Sequence, residues 1–422
     1  MKILVIGAGG REHAIALKVA ESKKAEKIYA IPGNPGIAEV AECHSIDIMD
    51  SEAVVVFAKE KSIDLVIIGP ENPLANGIVD VLEDAGIRSF GPNAKAAKFE
   101  ASKIFTRKFI EKYELPGAEF EEFTDFEKAR SYIEKRGAPI VVKADGLAAG
   151  KGVFVAETIK TAVTFAEDCL IGKKFGEASS KIIIEEYLVG EEISYLVFTD
   201  GKTFKPMVYS QDHKQVHEGD RGPNTGGMGA YSPAPLLEGQ ENFLKEEVMG
   251  RFLKGISAEG IDYRGVLYMG FIMTSEGPKI LEFNCRFGDP EAQVILPRME
   301  TDLIDVCIAV INQELEHQEI VWSDKCCATV VLASGGYPEQ YKNGMVIEGL
   351  EDVEGVQVIH AGTKKMDDKM VTNGGRVLNI VATGRTLKET MNNIYSEVPK
   401  INFDQMYYRK DIAWKELQRG LP

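Results

Sequence analysis

Over the first hundred residues, short runs of mostly apolar side chains alternate with stretches whose apolar residues recur at helical spacing. The runs at 3–6, 27–31 and 65–68 read as strands, and Ser89-Phe90 as a last short one. Residues 12–21, 51–61 and 78–85 read as helices. Strands with no polar face must be covered on both sides, which only a parallel sheet wound through crossover helices provides. The spacing therefore predicts an N-terminal doubly wound parallel-sheet domain over about 1–102. Ligands of such sheets sit beyond the carboxyl ends of the strands. Three turns are expected there, Gly7-Ala8-Gly9-Gly10-Arg11, Pro32-Gly33-Asn34-Pro35-Gly36 and Gly69-Pro70-Glu71-Asn72-Pro73.

The chain has 422 residues, room for about three domains. A net charge of −16 argues against a nucleic-acid partner or an anionic membrane surface. Any phosphorylated ligand must then be drawn in by a local cluster of Lys, Arg and backbone amides. The six cysteines show no C-x-x-C pair or zinc spacing, so they are expected to be reduced, as in a cytoplasm. No apolar stretch reaches the roughly 20 residues of a membrane span, and none resembles the core of a signal peptide. These features predict a soluble, cytoplasmic protein, monomer or dimer.

Residues 95–118 read as helix and connector. A compact unit follows over about 118–190, with strands at 140–144, 153–156 and 181–185 and a helix at 161–170. Strands at 194–199, 205–210, 266–274 and 278–283 then form a β-rich region. Between them, 219–235 is long, polar and rich in glycine and proline; its tight Gly226-Gly227-Met228-Gly229 core favours an ordered, functional loop. A helix at 303–312 ends the central region (103–320). The last segment, 325–422, reads as β-rich with a helix at 387–398.

Chemistry concentrates in a few segments. An apolar strand delivers Lys143 into Ala144-Asp145-Gly146-Leu147-Ala148-Ala149-Gly150-Lys151-Gly152-Val153. Small residues there let backbone N–H groups approach an anion, and the two lysines add charge, which suits nucleotide phosphates. This is not G-x-x-x-x-G-K-[ST], because Val153 supplies no hydroxyl for magnesium. The Gly7 to Glu12 turn fails as a dinucleotide site: Glu12 stands where a third glycine belongs, and the second strand ends at Ile31-Pro32 without an acid. It remains either an anion site at a helix N-terminus aided by Arg11 or a purely structural tight turn. Residues 182–192 form a strand running into an acidic connector, able to offer backbone to an adenine edge and a carboxylate to a ribose.

Glu282, Asn284 and Arg286 alternate along a strand and so share one face. A carboxylate and an amide oxygen suit a magnesium ion that keeps its waters. An arginine beside them can stabilise charge on a transferring phosphoryl group. Asp212 and Lys214, next to the polar loop, are candidate substrate contacts. No Ser/His/Asp or Cys/His pattern offers a nucleophile.

Together these segments resemble the ATP-grasp superfamily and, within it, the glycinamide ribonucleotide synthetase family, nearly end to end. The most specific motifs are Gly222-Pro223-Asn224-Thr225-Gly226-Gly227-Met228-Gly229-Ala230-Tyr231 and Glu282-Phe283-Asn284-Cys285-Arg286-Phe287-Gly288-Asp289-Pro290-Glu291. The resemblance implies a central ATP-grasp fold with a mobile lid over about 118–190. It implies that Lys103 and Lys143 hold the ATP phosphates, under a loop containing Asp145, Gly146, Gly150, Lys151 and Gly152. Glu185, Glu186, Tyr187 and Leu188 would line the adenine, and Glu192, or Glu191 in the alternative register, would take the ribose. Glu282 and Asn284 would bind Mg2+ or Mn2+, and Arg286, Lys214 and Asp212 would be catalytic. The other substrates would meet Gly9, Gly10, Arg11, Asn34, Glu71, Asn224, Thr225, Gly226, Gly227, Met228, Gly288 and Asp289. The implied reaction joins glycine to 5-phosphoribosylamine at the cost of ATP, through glycyl phosphate; the alternative is a carboxylase or ligase acting on another purine intermediate. One departure stands out. Many superfamily members carry another acidic metal ligand on the preceding strand, where this chain has Gly270.

Overall fold

The computed structural model describes residues 1–147 and 152–420. The N-terminal sheet has five strands, in the order Glu42–Cys43, Lys27–Pro32, Lys2–Gly7, Leu65–Ile68 and Ser89–Phe90. All are parallel. Ile3, Leu4, Val5 and Ile6 are fully buried, as strands covered on both faces must be. The short edge strand Glu42–Cys43 and the helix Glu71–Ala75 lie outside the sequence expectation; neither is long enough to show a period. The sheet order brings Gly9, Asn34 and Glu71 to one edge, since each follows the carboxyl end of an adjacent strand.

Two capped helices, Ala94–Ala101 and Lys103–Lys112, lead out of this sheet. Next comes a small antiparallel sheet ordered Phe120–Phe123, Ile182–Glu186, Ile140–Ala144 and Val153–Ala156. Helices Phe126–Arg136 and Ile159–Leu170 pack on it around Ala129, Ile133, Phe165 and Ala166. The sequence reading lacks the first strand and first helix. The strand is Phe-Glu-Glu-Phe, and the helix buries only Ala129 and Ile133, too thin a stripe to register as a period.

A larger antiparallel sheet follows, ordered Phe204–Pro206, Glu191–Thr199, Gly265–Thr274 and Gly277–Asn284. Its last pair carries a bulge: Gly270 pairs with Glu282 and Phe271 with Ile280, so Leu281 is left over. The helical stretch 241–258 packs Leu244, Val248, Phe252 and Ile256 against this sheet's core.

The polar stretch is ordered. Gln215–His217 and Arg221–Asn224 form a ribbon, and Gly229–Ser232 is a fully buried strand. That strand pairs with Cys326–Ala333 in a five-stranded sheet ordered Gln211–Asp212, Gly229–Ser232, Cys326–Ala333, Arg376–Gly384 and Gln357–His360. The C-terminal sheet thus takes two strands from the centre of the chain, a long-range pairing that no local pattern announces. All six cysteines are free thiols. Among the described residues no helix is long and apolar enough to cross a membrane.

His13 and His360 join the first and last of these sheets, the His360 N–H donating to His13 Nδ1 at 2.8 Å. Burial depresses both, and His360 depresses His13 further; His13 falls to about 3 and His360 to about 4, from 6.5. Burial lowers His213 as well. Below pH 6.5 the unfolded imidazoles take up protons that the folded ones refuse, so stability is present above the unfolded value and drains away as pH falls toward the folded ones. Thermal unfolding is therefore expected to drop in midpoint between about pH 6.5 and about pH 5, before most carboxylates titrate. His360→Gln should flatten that slope, and an unchanged slope would contradict the assignment.

Candidate active site

Where the small sheet faces the larger one, a cavity of about 510 Å3 opens. Ala118, Val141, Val155, Ile272 and Leu281 wall it at one end, with Tyr187 and Leu188 at its rim. That slot is apolar and suited to a flat base. Glu186 and Gly152 also line it, and Gly150 and Lys151 lie outside the described residues.

Toward the cavity's centre the charges begin. Lys143 Nζ lies 2.7 Å from Glu185 Oε2. The same carboxylate is gripped by Arg107, Nε to Oε1 at 2.6 Å and Nη2 to Oε2 at 2.7 Å. Burial alone would raise Glu185, but Arg107 and Lys143 hold it below the usual carboxylate range. Glu185 thus lines the cavity, as expected from the sequence, with its carboxylate engaged in orienting Lys143. Lys103 Nζ donates to Gly146 O at 2.9 Å, and burial lowers both lysines. Asp145 turns away from the cavity: its Oδ1 accepts from Ser102 Oγ at 3.0 Å and Ile104 N at 3.1 Å, capping the helix that begins at Lys103. Arg107, missing from the sequence reading, also donates to Ile280 O and Leu281 O, pinning the small sheet to the large one.

Glu192 faces the cavity with Oε2 2.7 Å from Lys214 Nζ. Glu191 points elsewhere, to Arg419 at 2.6 Å. Lys214 also lies 3.4 Å from Glu282 Oε1. That neighbour is the main reason Glu282 is depressed to about 2 despite burial, so the carboxylate stays ionised. Asp212 behaves oppositely. Burial pushes it well above the usual range, Lys214 offsets this only in part, and Glu291 and Glu192 add to the rise.

Regular alternation along one strand does not account for the Glu282–Asn284–Arg286 face. The strand ends at Asn284, and Arg286 lies in the bend beyond it. The bend nevertheless folds the guanidinium back to 3.4 Å from Asn284 Oδ1. Arg286 Nη2 meets Glu100 Oε1 at 2.8 Å, and Nε lies 3.4 Å from Glu71 Oε2. Gly270 stands opposite Glu282, where a Cβ would come within 3.1 Å of Glu282 Cγ. The preceding strand therefore adds no ligand, and among the described residues no group of three His, Cys, Asp or Glu side chains is placed to hold a metal. An ionised carboxylate and an amide oxygen facing an open, polar cavity still fit a divalent ion that takes its remaining oxygens from water and phosphate.

At the N-terminal turn the anion-site reading needs correction. The Glu12 carboxylate folds back onto Gly9 N at 2.6 Å and pairs with Arg11 Nε at 2.6 Å, so the helix start already holds its own anion. A Cβ at Gly69 would sit 2.2 Å from Glu12 Oε1, which explains the glycine there. Arg11 Nη2 then reaches Glu71 at 3.7 Å. Gly10 packs against Gln293 and Asn379, Met228 is fully buried, and Gly227 and Gly288 pack on Pro290 and Glu291; none of these four lines this cavity or the one that adjoins it. Asn224, Thr225 and Gly226 do line the first one.

A second cavity, of about 550 Å3, adjoins it, the two sharing Asp289, Tyr337 and Arg376 as lining. Gly9 and Asn34 form one wall, and Thr363, Lys364, Lys365 and Asn373 the other. Arg376 Nη2 pairs with Asp289 Oδ2 at 3.1 Å. Nothing local in the sequence marks these C-terminal residues beyond the Gly374-Gly375 turn; only the sheet pairing brings them here.

An apolar slot between two antiparallel sheets, with buried lysines beyond it and a carboxylate and an amide oxygen beside them, is the arrangement of an ATP-grasp enzyme. Family models match almost the whole chain: phosphoribosylglycinamide synthetase N domain over residues 1–100, the ATP-grasp (A) domain over 101–292 and the C domain over 327–415. Phosphoribosylamine–glycine ligases of Vibrio parahaemolyticus and Escherichia coli are each 47% identical, over 99% of this chain and 99% of their own. The crystal structure of the Thermotoga maritima phosphoribosylamine–glycine ligase superimposes with a TM-score of 0.85 at 31% identity, covering 98% of this chain and all of that one. The biotin carboxylase domain of Hydrogenobacter thermophilus 2-oxoglutarate carboxylase shares the fold, with a TM-score of 0.73 at 16% identity over 96% of this chain and 91% of that one. The chain belongs to the phosphoribosylglycinamide synthetase family.

Proposed function

We propose that the protein joins glycine to 5-phosphoribosylamine, converting ATP to ADP and phosphate, by way of glycyl phosphate. The single observation that carries this reading is that the two cavities adjoin, sharing Asp289, Tyr337 and Arg376 as lining. One holds the nucleotide machinery, and the other holds cations that no nucleotide there could use.

A carboxylate is a poor acyl donor because its leaving group would be oxide. Phosphorylation replaces that with phosphate, and the amine then displaces it. The protein's contribution is positioning and charge stabilisation, with no side-chain nucleophile. Lys103 and Lys143 neutralise the phosphates. Glu282 and Asn284 would hold Mg2+ or Mn2+, which supplies charge neutralisation on the transferring group when bound. Arg286 faces the same point, placed to stabilise charge on the acyl phosphate. Glycyl phosphate hydrolyses readily, so water must be excluded, and we assign that task to the 118–190 unit acting as a lid. The remaining units are read as 1–102 and 103–320 with 325–422, though the C-terminal sheet borrows strands from the second. The free thiols fit a cytoplasmic location.

Glycine labelled with heavy oxygen in its carboxylate tests the intermediate directly. One labelled oxygen should appear in the released phosphate and the other in the amide; label lost to water, with none in the phosphate, would exclude an acyl phosphate. Lys364 is assigned to the phosphate of phosphoribosylamine. Lys364→Ala should raise KM for that substrate by about 10-fold, the worth of one charge-assisted contact, and leave KM for ATP unchanged. An unchanged KM for phosphoribosylamine would remove Lys364 from the site.

A further inference from the structure

We propose that Glu100 is a positioning residue that presents the Arg286 guanidinium to the transferring phosphoryl group. The inference rests on the role given to Arg286 above.

Glu100 closes the helix Ala94–Ala101, three positions before Lys103, and its side chain is 8% exposed. One carboxylate oxygen, Oε2, accepts the backbone N–H of Cys285 at 2.7 Å. The other, Oε1, takes Arg286 Nη2 at 2.8 Å. A single carboxylate thus fixes both the exit of the metal-binding strand and the side chain that leaves it. The other contacts of the guanidinium are weaker. Phe287 O lies 3.3 Å from Nη1 and Asn284 Oδ1 3.4 Å from Nη2. Nε is buried with no hydrogen-bond partner, its nearest carboxylate being Glu71 at 3.4 Å. Glu71 is itself shared with Arg11.

Glu100 is therefore the fixed partner and Glu71 the exchangeable one. The arrangement leaves Nε unspent while the far edge is held, which is what preorganisation of a charge-stabilising donor requires. The same helix end carries the cap of Lys103, so the phosphate lysine and the arginine are set by adjacent turns of chain.

Glu100→Gln keeps the shape and removes the charge. It is expected to lower kcat by about 100-fold, the cost of a misplaced reacting group, with KM for ATP held within about threefold. Calorimetric affinity for magnesium–ADP should match the parent's, which shows the fold intact. Glu100→Asp, which retains the charge, should recover about tenfold of the lost kcat. A structural pin acting on its own would lower activity in any background. A positioning residue acts only through Arg286, so in an Arg286→Lys background Glu100→Gln should cost less than about threefold. Parental kcat in Glu100→Gln, no recovery in Glu100→Asp with full nucleotide binding, or an undiminished loss in the Arg286→Lys background would each overturn the proposal. If Arg286→Ala is inactive while Glu100→Gln is normal, only the positioning claim fails. If Arg286→Ala turns over normally, the function assigned to Arg286 fails as well.

Discussion

Arg286→Ala is expected to lower turnover by at least about 1,000-fold while magnesium–nucleotide affinity stays near that of the parent. The guanidinium makes none of the contacts that hold Lys143, whose partners are Glu185 and Leu281 O, so ground-state nucleotide binding is expected not to depend on it. It lies beside Asn284 Oδ1, and under the proposed mechanism its charge stabilises the phosphoryl group as it meets the acceptor carboxylate. Burial would lower Arg286, but Glu100 and Glu71 more than offset that, so it remains a full cation. Removal leaves two carboxylates facing each other across an unfilled gap, so the variant needs its fold verified by nucleotide calorimetry before the kinetics are read. Loss of kcat with retained affinity is the expected pattern; parental kcat would refute the assignment.

Glu282→Ala is expected to erase the dependence of nucleotide affinity on magnesium. Losing even an outer-shell partner of a metal ligand costs about 10–100-fold in metal affinity, and loss of one of two protein ligands should cost at least about 100-fold. Gly270 opposite offers no substitute oxygen. Lys214 would lose one of its two carboxylates and turn wholly to Glu192, so affinity for metal-free nucleotide should change little. Calorimetry of ADP with and without magnesium reads the difference directly. A difference as large in the variant as in the parent would place the metal elsewhere.

Both expectations rest on residues that the sequence displays, and the reason is local. Glu282 and Asn284 alternate on one strand and Arg286 follows two residues on, so the sequence shows them side by side, even though the bend, and not the strand, turns Arg286 to that face. The glycine loop and the polar stretch are equally local. The parallel sheet of the first hundred residues is legible for the same reason, since strands such as Leu65–Ile68 are apolar throughout. What depends on distant pairing is not legible. Gly229–Ser232 enters a sheet with Cys326–Ala333, and Arg376 reaches the cavity only because Arg376–Gly384 lies next in that sheet. Glu100 and Arg107 look like ordinary charged positions on short helices, and only the packed structure aims them at Arg286 and Glu185. Glu185 and Asp145 show the converse. Each stands in a segment rich in site residues, yet each spends its carboxylate on holding a neighbour.

ADP release from ATP and magnesium, followed while glycine and freshly made phosphoribosylamine are each omitted in turn, tests the central claim most directly. ADP should form at full rate only with both substrates present, in step with a product carrying the glycyl group in amide linkage. Equal ADP release without glycine, or none with all components supplied, would contradict the account.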